Sequence, residues 1–468
     1  MKYVKASQQM EKEIISLSWR YNTGAQVWSV AITSDGRYIF AGSDYGIHCF
    51  DEKGNLQWQQ EVEGQAFRIV LADEIQQILV GCNGGNNAYL IDYNGNILQE
   101  YSTDGNTWEV GITRDGEKKV VGSFDNYLYS FDRNGNLQWK QEVGDRIRRV
   151  SLTTDGEYIV LGADDGYIYC FDNKGMLRWQ YKTGADVWAG AEIAHEGKFI
   201  IAGSNDNHVY FFDLDGNLKW KHSLDKNVNI VAITPDGQYC AAAGTDDTVY
   251  LFDQTGKVLW HYRTKNDIYA LALSKDGRFL MVGSDDHHVY HFDGDTQQIS
   301  EWCFGDKIYG VTMNPDGKVL AAASCDHHVY AFVRTKFDKA ADLKRRTQII
   351  INRIRTDAIN NPHLAIVRWF DEFDRALRFG NYAGCQFLLE EMEKGGYSLS
   401  EQENAYVESR KAALLLCQGI LCHKNGDYMV ARQYYEQSKA IQHHLGHRDG
   451  EGQVIAALYA LEKDEKQA

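Results

Sequence analysis

The chain has 468 residues, enough for a large repeat domain and a second unit. Its formal charge of −16 argues against a surface that tracks nucleic-acid phosphates, and no apolar run approaches the roughly 18 residues of a membrane span. The opening residues, Met1-Lys2-Tyr3-Val4-Lys5, carry no hydrophobic signal core, so a cytoplasmic protein with neither nucleic-acid nor membrane partners is expected.

From residue 27 the chain falls into short β-rich runs separated by turns. Residues 27–33 are apolar and β-rich, the composition of an inner strand covered on both sides. Ser34-Asp35-Gly36 is a turn, because Asp bonds its own backbone and Gly accepts positive φ. A second strand centres on 38–41, Ser43-Asp44-Tyr45-Gly46 turns again, and 47–51 form a third strand. After Lys53-Gly54-Asn55, Leu56-Gln57-Trp58 opens an outer strand. The unit recurs at a spacing of 40 or 41 residues, with anchors Phe50-Asp51, Ile91-Asp92, Phe131-Asp132, Phe171-Asp172, Phe212-Asp213, Phe252-Asp253, Phe292-Asp293 and Phe332. That period, carried by β-runs and turns, predicts propeller blades, since one such unit cannot bury both faces of its small sheet. The second copy diverges, with Ile91 for Phe, Gln99 for Trp and a Gly-rich turn at 81–86; the seventh has two extra residues before Trp302.

The last copy ends at Phe332-Val333 without an outer strand. Leu17-Ser18-Trp19-Arg20-Tyr21 matches the outer-strand run Leu177-Arg178-Trp179-Gln180-Tyr181, so residues near 14–23 are expected to complete the blade begun by 307–333. Such a closure hides an edge strand that an open ring would expose. The fold expected is mainly β with a C-terminal α domain: an eight-bladed propeller over 1–335, then helices over 336–468.

The run from Val249 through Phe252-Asp253 to Gly256-Lys257-Val258-Leu259-Trp260 resembles the tryptophan-docking motif of pyrroloquinoline-quinone (PQQ)-type propeller repeats. Ser34-Asp35-Gly36 followed by Gly42-Ser43-Asp44 is similar to WD repeats. The likeness covers about residues 14–335 and implies a fold that serves enzymes, assembly factors and scaffolds alike. In quinoproteins it implies PQQ at the axis beside calcium, often near a disulfide between adjacent cysteines, with an Asp base. This chain has no Cys-Cys pair, and those ligands map onto no particular positions. No cofactor is expected.

Beyond residue 338 the spacing turns helical, with Leu343, Ile350 and Ile354 on one side. Helices are expected at about 338–359, 363–379, 382–394, 400–424, 427–444 and 449–463. Two hairpins resemble tetratricopeptide repeats: one with Gly419, the turn Gly426-Asp427-Tyr428, Ala431 and Tyr435, the other with Trp369, Gly380-Asn381-Tyr382, Cys385 and Leu389.

One inner-strand position invites comparison across the blades: Trp28, Phe67, Trp108, Arg148, Trp188, Asn229, Tyr269 and Tyr309. Aromatics predominate there. Inner strands are buried on both faces, which favours interblade packing; an Arg costly to bury unpaired points instead to a ring lining a funnel. Arg146, Arg148 and Arg149 form the dense basic cluster of the propeller, suited to an acidic partner segment or to a salt-bridged edge. Asp286-His287-His288 and Asp326-His327-His328 fall in equivalent turns, and adjacent strand residues point oppositely, so turn chemistry is expected rather than zinc. Asp213-Leu214-Asp215-Gly216-Asn217 imitates a calcium loop, but Leu224 stands where its closing Glu belongs. The nine cysteines include no CxxC pair, and Cys49 and Cys170 share a repeat position, so reduced packing thiols are expected.

These features favour a non-catalytic scaffold or adaptor for one or more proteins or peptides, the propeller and the helical domain each offering a docking surface. The alternatives are a PQQ-type dehydrogenase and a sensor binding a small ligand in the propeller funnel.

Overall fold

The computed structural model describes residues 13–194, 198–295, 298–336, 401–424, 428–445, 453–458 and 460–461, together with Phe373, Cys385 and Leu389. Eight four-stranded antiparallel sheets are present. Blade 1 comprises Val27–Ile32, Tyr38–Ser43, Gly46–Asp51 and Leu56–Gln60, hydrogen-bonded in that order. Blades 2 to 7 repeat the scheme, beginning at Gln65, Glu109, Ile147, Gly190, Val228 and Ile268. In blade 8, Ile308–Met313, Val319–Ser324 and His328–Lys336 are completed by Glu13–Asn22. The ring therefore closes through its N-terminal strand, as the Leu-Ser-Trp-Arg-Tyr match predicts, and Thr23 N donates to His327 O at 2.9 Å beside the seam.

The middle strands are buried along their length, whereas an outer strand such as Leu218–Ser223 alternates with solvent. Core clusters bridge neighbouring blades: Val160, Ile168 and Cys170 of blade 4 pack with Val187, Ile200 and Phe212 of blade 5. A second joint lies in the outer girdle. Trp179 Nε1 donates to Leu214 O at 2.9 Å, reaching into the next blade's hairpin. Gly216 there has φ +84°, and a Cβ would sit 2.7 Å from the indole, so glycine answers both the turn and the close approach. Trp19, Trp58, Trp139 and Trp220 make the same bond across their own seams.

The anchor Asp sets the hairpin turn. Asp132 Oδ1 accepts from the amides of Asn134 and Asn136, while Asn136 Nδ2 donates to Oδ2. These bonds, the Asn136 side chain foremost, hold its carboxyl below the usual range. Asp213 is bonded by Asn217 in the same way, so the calcium-like run is a repeat turn.

A further joint went unread in the sequence: an Asp four residues before a Tyr. Tyr290 OH donates to Asp286 Oδ2 at 2.6 Å, and the same oxygen accepts from Lys265 N on the segment entering the blade. Asp125–Tyr129, Asp165–Tyr169, Asp206–Tyr210, Asp246–Tyr250 and Asp326–Tyr330 are equivalent. His287 and His327 take φ of 70° and 73° in these turns, and His288 Nδ1 lies 2.8 Å from Asp286 O. The His-His pairs are thus turn and strand-edge residues.

The propeller unit spans Glu13–Thr335. In the C-terminal unit, α1 (Glu401–Lys424) and α2 (Tyr428–His444) form a hairpin. A Cβ on Gly419 would lie 2.4 Å from the Tyr435 ring, so the small residue admits the large one. Ala431 and Tyr435 are buried with Val454, Leu458 and Leu461, and Ser438 Oγ donates to Ala412 O at 2.7 Å. Phe373, Cys385 and Leu389 are helical and buried; the remainder of the helices expected between 338 and 394 lies outside the described residues.

Candidate functional site: an aromatic funnel at the propeller axis

The inner strands carry the site. In six blades their pairing slips by one residue, between Val27/Ser29, Ala66/Arg68, Ile147/Arg149, Val228/Ile230, Ile268/Ala270 and Ile308/Gly310. The skipped residue is a bulge, and a bulge re-aims its side chain out of the sheet. Trp28, Phe67, Arg148, Asn229, Tyr269 and Tyr309 are those residues; Trp108 and Trp188 stand just before the inner strands of blades 3 and 5. All eight line one funnel of about 490 Å³. The position does both things weighed for it: its side chains line the funnel, and its rings also touch across blade seams.

Within the funnel the rings support one another. Centroid separations are 5.6 Å for Tyr269–Tyr309, 5.3 Å for Tyr309–Trp28, 5.9 Å for Trp28–Phe67 and 4.6 Å for Phe67–Trp108. Arg148 continues the chain, its guanidinium 4.0 Å from the Trp188 ring centroid and 5.3 Å from that of Trp108. Trp188 remains 38% exposed. At the rim, Trp28 Nε1 and Gln65 Nε2 both donate to Asp44 Oδ1 at 2.7 Å, and Asn83 Nδ2 donates to Gln65 Oε1 at 2.9 Å. Trp28 is thus held by a hydrogen bond as well as by contact, whereas the buried Nε1 of Trp108 has no hydrogen-bond partner.

The arginine cluster separates. Arg148 Nε and an Nη each donate to one Asp164 carboxylate oxygen at 2.6 Å, a two-pronged pair whose side chains are each 10% exposed. Arg149 pairs with Glu192, and the bare Gly190 backbone leaves room beside it: a Cβ there would collide with Arg149 Cβ. Arg146 is exposed, 5.7 Å from the Phe124 ring. Two of the three cations are thus neutralised within the propeller. Of the two alternatives for this cluster, the salt-bridged edge describes Arg148 and Arg149, while Arg146 stays exposed.

The sequence reading also missed Arg68 and Glu109, the residues immediately after Phe67 and Trp108. Arg68 Nε and Glu109 Oε2 stand 3.8 Å apart, too far for a hydrogen bond, and neither atom has a hydrogen-bond partner. The Glu109 side chain is only 9% exposed. Burial pushes its carboxyl above the usual range despite Arg68 and Arg149 nearby, and burial likewise lowers Arg68. The available signal was three charged residues at one repeat position, Arg68, Glu109 and Arg149, where the other blades carry Ser29, Ala189, Ile230, Ala270 and Gly310.

Among the described residues, no group of three or more His, Cys, Asp or Glu is placed to hold a metal ion. Cys49 and Cys170 are buried free thiols, pushed up to about 12 by burial.

Two family models match parts of this chain. The lambda-carrageenase beta-propeller domain matches residues 119–227 and 199–342, and the WD domain, G-beta repeat, matches residues 16–51. No curated protein matches. Among solved structures, the crystal structure of the computationally designed Ika8 protein aligns with a TM-score of 0.59 at 16% identity, covering 67% of this chain and 97% of that one. At that identity the likeness is one of fold. The chain is an eight-bladed β-propeller with a C-terminal helical region, and the WD-repeat likeness is confined to residues 16–51.

Proposed function

We propose that this chain is a non-catalytic protein-interaction platform whose working surface is the funnel-bearing face of the propeller. The observation that carries the reading is the aromatic ring itself: six rings and a stacked arginine around the axis, four of the rings and the arginine set at backbone bulges, and left partly open. Aromatic and arginine side chains dominate the energetic centres of protein interfaces, and rigid ones lose little entropy on binding. WD-type propellers commonly serve as such scaffolds, which agrees with the repeat match. The partner is a protein or peptide, and the α1–α2 hairpin, with its tetratricopeptide-like small-to-large packing, offers a second docking surface. We place the protein in the cytoplasm; no described helix is long and apolar enough to cross a membrane.

Affinity capture from a native lysate tests this, using the full-length chain and a Trp108→Ala/Trp188→Ala variant that melts normally. Specific proteins should be retained by the first and released by the second. Identical retention by both would remove the funnel face from the account.

A further inference from the structure

The funnel has two unlike walls. Going round the ring, Arg68, Glu109 and Arg149 occupy consecutive blades 2 to 4; facing them across the axis in blades 6 to 8 are Ile230, Ala270 and Gly310. One wall is charged and incompletely bonded; the other is apolar, with Ile230 followed by the small Ala270 and Gly310. The charged wall balances: Arg68 and Arg149 stand against Glu109 and Glu192, so it selects neither an anion nor a cation. A ligand cation meets a further obstacle, because Arg148 already occupies the faces of Trp188 and Trp108.

The unmet demand lies at Arg68 and Glu109. Arg68 offers donors and Glu109 an acceptor, 3.8 Å apart, with Glu109 Oε2 buried and unbonded. A hydroxyl both donates and accepts, so two neighbouring hydroxyls on one rigid frame satisfy both residues at once. Such a frame also needs an apolar face to lie against the rings of Tyr269, Tyr309 and Trp28. The volume of about 490 Å³ falls within the range of small-molecule sites.

We propose that the funnel binds a neutral sugar, a mono- or disaccharide whose hydroxyl edge bridges Arg68 and Glu109 and whose C–H face stacks on the Tyr269–Tyr309–Trp28 side. This goes beyond the docking role and needs no protein partner, so either can fail without the other. The test uses the purified full-length chain, with tryptophan emission and thermal shift as readouts. D-glucose, D-galactose, maltose and lactose are titrated to tens of millimolar, with D-glucuronate and D-glucosamine as charged counterparts. At least one neutral sugar should perturb the emission and raise the melting temperature, with both charged counterparts weaker. Glu109→Gln, which keeps the shape, should weaken that sugar about tenfold, the loss expected for one hydrogen bond to a charged group. Should Glu109→Gln fail to fold, Tyr269→Ala, at the half-buried mouth, must show a comparable loss. Silence from all four neutral sugars, stronger binding of either charged one, or unchanged affinity in the folded variant would overturn the proposal.

Discussion

The outer girdle and the funnel wall are built by the same eight blades, yet they treat repetition in opposite ways. In the girdle, Trp19, Trp58, Trp139, Trp179 and Trp220 each donate to a carbonyl of the following blade. In the funnel, the shared bulge presents Trp, Phe, Arg, Asn and Tyr, and the next residue ranges from Gly310 to Glu109. Identical side chains at equivalent places serve one joint repeated across five seams. Different side chains, six of them on one shared bulge, make a funnel wall that varies from blade to blade, as the proposed binding role requires. Their electrostatics differ too: the girdle Asp132 is held below the carboxylate range by its Asn136 bonds, whereas burial pushes the funnel's Glu109 above it.

The contrast predicts a graded series of effects. Deleting residues 1–23 removes the strand that completes blade 8 and exposes an edge; melting should fall by roughly 10 °C or more, consistent with a loss of several kcal/mol in a domain this size. An unchanged melting curve would show that closure contributes nothing. Next, Trp179→Ala removes a half-buried indole and its bond to Leu214, and should cost about 2–3 kcal/mol in urea unfolding.

Glu109 gives a pH signature. Because its folded carboxyl lies above the ordinary value of 4.5, its contribution is complete below that pH and is lost as pH rises through the folded value. Glu109→Gln should therefore gain on the wild type as pH rises from 4 upward, and equal pH slopes in the two proteins would refute the assignment. The smallest effect belongs to Gln99, which lies where other outer strands carry Trp and borders a groove of about 270 Å³ shared with Lys119. Gln99→Trp should fill it and stabilise by about 1 kcal/mol, read as a modest rise in melting temperature.

The ring, its blade number and its seam were legible because they depend on local chemistry repeated along the chain. Asp-Gly turns, the Phe-Asp anchor and Leu-x-Trp outer strands each declare themselves within a few residues, and Trp19 stood out as a displaced copy. The site was legible only in part. Aligning the blades found all eight funnel positions, but not where they point, since the direction depends on a register slip between paired strands. Partners were hidden for the same reason. Asp164 neutralises Arg148 from 16 residues away, and Glu192 meets Arg149 only across a blade seam. Arg68 and Glu109 are 41 residues apart and meet only because consecutive blades set equivalent positions side by side.

The central claim is that the girdle holds the molecule together while the funnel meets the outside world. Trp188→Ala tests it most directly, measured for melting temperature and for retention of captured proteins, with Trp179→Ala alongside. The account predicts that Trp188→Ala melts within about 2 °C of wild type yet loses its partners, since a 38%-exposed ring adds little to the core. A Trp188→Ala protein destabilised as much as Trp179→Ala, or one that keeps every partner, would contradict it.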